Sequence, residues 1–292
     1  MEKKMADENH IKDGWFFETC TMWSGMGFAL EIEKVLHREK SRYQLIEVLQ
    51  TKSYGKMLAL DGIIQLTEFD ESAYQEMLAH VPLFAHPFPE NVLIIGGGDG
   101  GILREVCRHD CVKNIDFCEI DEAVVRVSKQ FLPSLACGFD DSRVTVFIGD
   151  GNAYVREKQN RYDVIIVDSS DPVGPGEVLF QKPFYKGLKA ALKSDGVVAT
   201  QGESIFLHQE CVTNLARITR ELFVKQAYAW IMVPTYPGGN IGICLGSLGP
   251  DLQQPAREIS EKIQGQLQYY TPDMHRACFV LPEFARKIFE SI

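Results

Sequence analysis

"NVLIIGGGDGG", residues 91–101, passes from an unbroken apolar run into a glycine turn. A fully apolar run of this length reads as a strand covered on both faces, the kind found in a parallel sheet. "GGGDGG" (96–101) turns the chain from that strand into a helix over "ILREVCRH" (102–109). The alternation then repeats downstream. "NIDFCEID" (114–121) is a second strand, "EAVVRVSKQFL" (122–132) a second helix, "RVTVFIGDG" (143–151) a third strand, "YDVIIVDSS" (162–170) a fourth and "DGVVATQGES" (195–204) a fifth. "CVTNLARITREL" (211–222) is a helix, and "VKQAYAWIMVP" (224–234) and "NIGICLGSL" (240–248) complete the strands. Only "TYPGG" separates the last two, too few residues for a parallel crossover, so they pair antiparallel. The expected fold is α/β, a Rossmann-like sheet of the methyltransferase type, parallel with a terminal antiparallel hairpin.

Upstream the period changes. "FALEIEKVL" (28–36) alternates, and "YQLIEVLQT" (43–51), "KMLALDG" (56–62) and "IIQLTE" (63–68) are short runs separated by turn signals. Asp61-Gly62 is a strong hairpin signal. These strands form a small N-terminal antiparallel β domain. "DESAYQEMLAHVPLFAH" (70–86) is a helix with Asp70 as its N-cap and Ala73, Met77 and Leu78 on its apolar face. Pro87 and Pro89 mark a boundary before the sheet. The expected division is residues 1–69, the β domain, and 70–292, the Rossmann-like catalytic domain.

The 292 residues are 45% apolar, enough for a sizeable core, and carry a formal charge of −10. That charge argues against nucleic acid or anionic lipid as the main partner. It suits a cationic ligand and equally serves solubility. "MEKKMADENH" at the N-terminus has no apolar signal region, and no run approaches the ~18–20 apolar residues of a membrane helix. A cytoplasmic location without membrane contact is expected. The eight cysteines are irregularly spaced with no CxxC pair. Cys107 and Cys111 stand i, i+4 on a helix, which a metal or redox pair would share with two reduced structural thiols. The seven histidines fall into no ligand pattern, so no metal is expected.

Ligands of open α/β sheets bind outside the carboxyl ends of the strands. Six acids fall there: Asp99 after the first strand, Glu119 in the second, Asp150 in the third, Asp168 and Asp171 at the fourth, and Glu203 after the fifth. Each alone reads as a loop acid or helix cap. Together they mark a site. An acid inside the glycine turn repels phosphate and attracts ammonium. Glu119, about twenty residues on, stands where an acid grips ribose hydroxyls, and Asp150-Gly151 suits an adenine amino group. A nucleoside site without a phosphate site fits an S-adenosyl sulfonium.

"GGGDGG", "CEID", "GDG", "DSSDPVGP", "QGES" and "PTYPGG", with "SRYQ", "YGKMLALDG" and "YQEML" upstream and "HRACFVLPEFARK" (275–287) near the end, resemble the spermidine synthase family, the aminopropyltransferases. The resemblance runs from about residue 15 to the end. It implies transfer of the aminopropyl group of decarboxylated S-adenosylmethionine, a co-substrate, to putrescine, with no prosthetic group. It further implies that Gln44, Gln75, Asp99, Glu119, Asp150 and Gly151 hold the donor. Tyr74, Asp168, Ser169, Ser170, Asp171 and Tyr236 would line the putrescine side, with Asp168 in the base position and Tyr74 assisting. Glu203 would reach the far ammonium through solvent, and Trp23 either walls the slot or fills the core. A homodimer is implied. The Pro/Gly segment 172–176 reads as a lid or as a rigid exposed loop. The competing readings are a putrescine N-methyltransferase, a spermine synthase with a longer slot, and a non-catalytic polyamine-binding paralogue. The intact acid set disfavours the first, and Asp168 with Tyr74 disfavours the last.

Overall fold

The computed structural model describes residues 10–169, 171–172 and 174–291. The chain divides into two units, Met1–Glu71 with Val233–Gly239, and Ser72–Met232 with Asn240–Ile292.

The first unit carries a six-stranded antiparallel meander in sequence order: β1 (Ile11–Lys12), β2 (Trp15–Thr19), β3 (Gly27–Lys40), β4 (Leu45–Thr51), β5 (Lys56–Leu60) and β6 (Ile63–Thr67). Asp61 (φ 49°) and Gly62 (φ 79°) are both left-handed. That is the two-residue hairpin turn whose twist matches its flanking strands. β1 and β2 are additions to the sequence reading. They bring Phe16 onto Leu30, Leu49, Met57, Ala59 and Ile64. β3 extends well past residue 36, because its pairing with β4 shifts register at Ile32/Lys34 and Val35/His37. Such bulges break the alternation by which a strand is read. The returning segment 233–239 is held by Thr235, whose N–H donates to Asp70 Oδ2 at 2.9 Å, and by Tyr236, whose hydroxyl donates to the Gln65 carbonyl at 2.7 Å. Asp70 Oδ1 takes the Thr67 hydroxyl at 2.6 Å. The acid expected to cap a helix thus spends its carboxylate on a tertiary tie.

The helices are α1 (Glu71–Ala85), α2 (Gly101–Cys107), α3 (Glu122–Phe131), α4 (Pro133–Ala136), α5 (Gly151–Arg156), α6 (Lys182–Ala191), α7 (Gln209–Leu222), α8 (Glu261–Gln264), α9 (Pro272–Ala277) and α10 (Glu283–Glu290). The second unit's strands are β7 (Asn91–Gly96), β8 (Asn114–Glu119), β9 (Val144–Ile148), β10 (Tyr162–Asp168), β11 (Leu192–Gln201), β12 (Lys225–Met232) and β13 (Asn240–Ser247), in the order β12-β13-β11-β10-β7-β8-β9. Strands β7 to β11 pair in parallel, and β13 lies antiparallel between β11 and β12. This is the methyltransferase-type sheet with its terminal hairpin. Leu93, Ile95, Ile165 and Val167 pack on Val155 of α5, Phe184, Tyr185 and Leu188 of α6, and Leu215 and Ile218 of α7. Val92, Ile94, Val164 and Ile166, on the opposite face, are also fully buried. Burial of both faces is why these strands show no alternation.

The sequence reading named no helix over α5 or α6. In α6 the stripe Phe184, Tyr185, Leu188 and Ala191 is buried and Pro183 stands in the first turn, where its missing N–H costs nothing. Gly174–Phe180, partly within the expected lid, is wound as 3₁₀ turns. All eight cysteines are free thiols. Among the described residues no helix is long and apolar enough to cross a membrane.

Candidate active site

Because β7 to β11 run parallel, their carboxyl ends share one edge of the second unit, and that edge gathers the acids. Helix α1 adds two side chains from far away in sequence. Tyr74 donates its hydroxyl to Asp168 Oδ1 at 2.6 Å, and Gln75 donates Nε2–H to Asp99 Oδ1 at 3.0 Å. Asp99 Oδ1 also accepts the Gly101 N–H at 2.7 Å, at the start of α2. Gly97 (φ +71°) is required here twice over: its backbone is left-handed, and a Cβ would stand 2.9 Å from Asp168 Oδ2. The bare glycine leaves that oxygen approachable. The turn that resembles a phosphate cradle is therefore lined with carboxylates, and phosphate is the wrong ligand for it.

The electrostatics follow from burial without cations. Burial pushes Glu119 up to about 7, and Asp121 and Asp99 add to the rise, against backbone N–H bonds that include Asp121 N–H to Oε1. That last bond is 2.8 Å long. Burial likewise pushes Asp168 up to about 6; the Tyr74 hydroxyl pulls back and Glu119 pushes further. Asp171 is pushed up to about 7 by burial and then by Glu203, with His208 opposing. No lysine or arginine is among the leading contributors to these three groups. Protein cations usually stand beside buried carboxylates, so the raised values set these three acids apart.

A second acid site lies after β11. Glu203 is 1% exposed and adopts a left-handed backbone, φ 60°, a conformation that strains a non-glycine residue. Gln201 Nε2 donates to its Oε1 at 3.1 Å, His208 Nδ1 stands 2.5 Å from its Oε2, and the Tyr228 hydroxyl donates to its carbonyl at 2.7 Å. Gln75 and Gln201 repeat one arrangement. Each amide donates to an acid while its own Oε1 is buried and accepts no hydrogen bond within the protein. Each oxygen is a ready acceptor for an N–H.

The residues expected from sequence fall into three groups. Tyr74, Gln75, Asp99 and Asp168 are joined by direct hydrogen bonds or stand in one turn, and Glu119 acts on Asp168 electrostatically. Asp171 and Glu203 interact with one another. Asp150 is exposed and caps α5, accepting the Asn152 N–H at 2.8 Å. Gly151 is glycine for packing, since a Cβ would stand 2.3 Å from Ile95 Cγ2. Ser169 follows β10, and Ser170 lies outside the described residues. Gln44 and Tyr236 belong to the first unit, where the Gln44 N–H donates to Ser41 Oγ at 3.0 Å. Trp23 is buried in that unit. Sequence reasoning missed Gln201 and His208. Gln201 closes β11 two residues before Glu203 and could have been read from its place in "QGES"; nothing in the sequence marks His208.

Among the described residues one trio has the composition of a metal site: His86, Asp163 and Asp195. Two of its three residues are already engaged by other groups. Asp163 holds the Lys193 ammonium at 2.9 Å and the Asn91 N–H at 2.8 Å, and His86 Nδ1 accepts the Phe88 N–H at 3.1 Å, which leaves the ring proton on Nε2.

Comparison with known proteins places this geometry. The model of the spermine/spermidine synthase domain matches residues 71–254, and that of the spermidine synthase tetramerisation domain matches residues 14–68. The chain is 50% identical over 277 residues to a spermidine synthase of Dictyostelium discoideum, covering 95% of this chain and 98% of that protein. It is 47% identical over 281 residues to a spermidine synthase of Schizosaccharomyces pombe, covering 95% and 94%. A crystal structure of a spermidine synthase in complex with the transition-state analogue AdoDATO superposes with a TM-score of 0.88 at 36% identity, covering 100% of this chain and 99% of the other. The Thermotoga maritima spermidine synthase superposes with a TM-score of 0.88 at 35% identity, covering 100% and 98%. Over both of its units, this chain belongs to the spermine/spermidine synthase family.

Proposed function

We propose that the acid-lined edge of the second unit performs the spermidine synthase reaction: the aminopropyl group of decarboxylated S-adenosylmethionine passes to putrescine, giving spermidine and 5′-methylthioadenosine. The single observation that carries the reading is the Tyr74–Asp168 pair beside the bare Gly97. The sulfonium makes its neighbouring methylene electrophilic. An amine nitrogen attacks that carbon in line, the carbon–sulfur bond breaks, and its electron pair returns to sulfur. The nitrogen loses one proton, which Asp168 takes. An alkylammonium has a pKa near ~10 and an ordinary Asp near ~3.9, a poor match. Burial raises Asp168 to about 6 and narrows the gap. The Tyr74 hydroxyl aims the carboxylate and offers its own lone pair to the same amine. The sulfonium is itself the activated leaving group, so the transfer calls for no prosthetic group.

The other acids take the parts their surroundings suit. Glu119 receives the ribose hydroxyls, whose O–H donors offset its burial. Asp99 and the buried Oε1 of Gln75 receive the donor's ammonium. Ordinary S-adenosylmethionine would bring a carboxylate to that place, a like-charge contact costing several kcal/mol. Asp171, Glu203 and Gln201 receive the far ammonium of putrescine. Asp150 takes the adenine amino group. We further infer a cytoplasmic homodimer, checked by light scattering of the purified chain and by its distribution on fractionation.

Incubation of the chain with putrescine and either donor, read by mass spectrometry, tests the reading. Aminopropylated putrescine from the decarboxylated donor and little product from the ordinary one is expected. Methylated putrescine would replace this reading with a methyltransferase.

A further inference from the structure

Glu203 is held at three points. Its carbonyl takes the Tyr228 hydroxyl, Oε1 takes the Gln201 amide, and Oε2 faces His208 Nδ1 at 2.5 Å. The first two come from strands of the sheet. The third comes from the residue that opens α7, at the N-cap position. At that position a side chain ordinarily bonds back to the helix's own N–H groups. The His208 side chain makes no such bond, while its backbone does the structural work: its N–H donates to Ser204 O at 2.8 Å and its carbonyl accepts the Val212 N–H at 3.0 Å. The imidazole is therefore committed to Glu203 rather than to starting the helix. At Asp171, the Glu203 charge raises the carboxyl pKa and His208 lowers it.

We propose that His208 is the positioning residue that fixes the Glu203 carboxylate and so sets the preference for a diamine acceptor over a monoamine. This rests on the reading that Asp171 and Glu203 hold the acceptor's far ammonium. The pairing is a close Nδ1–Oε2 contact that is not aligned as a hydrogen bond, and a ring proton on Nδ1, carried by the imidazolium or by one of the two neutral tautomers, makes it attractive. A residue that places an amide nitrogen the same number of bonds from the backbone should replace it, and asparagine does. Serine is an equally good helix N-cap but is too short to reach Glu203. The pair His208→Ser and His208→Asn therefore separates positioning from helix capping, since both variants should keep α7 intact.

The test is steady-state kinetics of both variants with putrescine and with n-butylamine, which is putrescine without its far ammonium, at a saturating concentration of the decarboxylated donor. His208→Ser should raise the putrescine KM about tenfold or more, leave kcat and the donor KM near wild type, and leave kcat/KM for butylamine unchanged. His208→Asn should restore most of the putrescine KM. A putrescine KM within twofold of wild type in His208→Ser, an equal loss for both amines, or identical behaviour of the two variants overturns the proposal. Glu203→Gln distinguishes the two ways to fail. If it raises the putrescine KM while His208→Ser does not, the far-ammonium reading stands and the role of His208 falls. If Glu203→Gln is itself silent, the far-ammonium reading falls and takes this proposal with it.

Discussion

One fully buried carboxylate and a group of buried and half-buried ones lie in the same unit and behave oppositely. Glu105, fully buried on α2, is met by Arg104 Nε at 2.7 Å, Arg108 Nη1 at 2.5 Å and His80 Nε2 at 3.0 Å. Burial works to raise its pKa, but His80, Arg104 and Arg108 outweigh it and the carboxyl sits below its usual range. Glu119, Asp168 and Asp171 are raised instead, because burial meets no Arg or Lys. The first is electrostatically complete and holds α2 to α1. The second has no such cations among its leading contributors, and under the proposed function the charges and donors it lacks are those of an aminopropyl donor and a diamine. What separates a structural acid from a functional one here is which partner the protein itself provides.

The sharpest way to break this contrast is Asp168→Asn. It removes the proton acceptor and keeps the shape, so kcat should fall ~10²–10⁴-fold, while donor binding stays near wild type. Because the ionised form is disfavoured in the folded state, the ligand-free variant should melt at or above the wild-type temperature at pH 8. A variant retaining more than a third of wild-type turnover would falsify the base assignment. Glu105→Gln should do the reverse. Removing one member of a buried charge cluster costs about 3 kcal/mol, seen as a lowered urea midpoint, while kcat of the folded enzyme stays within twofold. A Glu105→Gln enzyme of normal stability and impaired turnover would make the two acid groups one site.

How far this contrast was visible in the sequence depends on distance along the chain. The parallel strands were legible because "NVLIIG" and "YDVIIV" are apolar on both faces, and the acids were legible because they end those strands. The I′ turn at Asp61-Gly62 was equally local. The bond between Tyr74 and Asp168 spans 94 residues; family resemblance put both residues on the putrescine side but did not show the bond. The return of 233–239 to Asp70, the clamp of His208 on Glu203 and the saturation of Glu105 by cations are settled by tertiary packing. No period or spacing encodes them. Helix α6 was overlooked for a different reason: its stripe follows a Pro/Gly-rich stretch that reads as loop.

Smaller effects sharpen the comparison. Glu119→Gln should weaken donor and methylthioadenosine binding together, roughly tenfold or more, since both carry the ribose that a charged acceptor would grip. Loss of putrescine affinity alone would contradict that role. The pH dependence of stability should also divide between the groups. For Glu119, Asp168 and Asp171 the folded pKa values are raised. Their contribution to stability is full below an unfolded value of ~4 and is lost as the pH rises through about 6 to 7. Glu105 is lowered, so its contribution is present above its unfolded value of ~4.3 and is lost as the pH falls through the folded one. Melting of the ligand-free enzyme between pH 2 and 9 should show both limbs. Asp168→Asn should flatten the alkaline one and Glu105→Gln the acid one.

The most direct test of an incomplete acid site is the proton balance of ligand binding. Calorimetric titration of putrescine into the enzyme–methylthioadenosine complex, repeated in buffers of differing ionisation enthalpy, counts the protons exchanged. A cation that supplies the missing charge lowers the raised pKa values of Asp168 and Asp171, so binding at pH 6.5 should release protons, on the order of one per site. The release should shrink toward zero at pH 8.5, where the acids are already ionised, and should diminish in Asp168→Asn. No proton release at pH 6.5, or the same release at both pH values, would show that these carboxylates are not awaiting a cation.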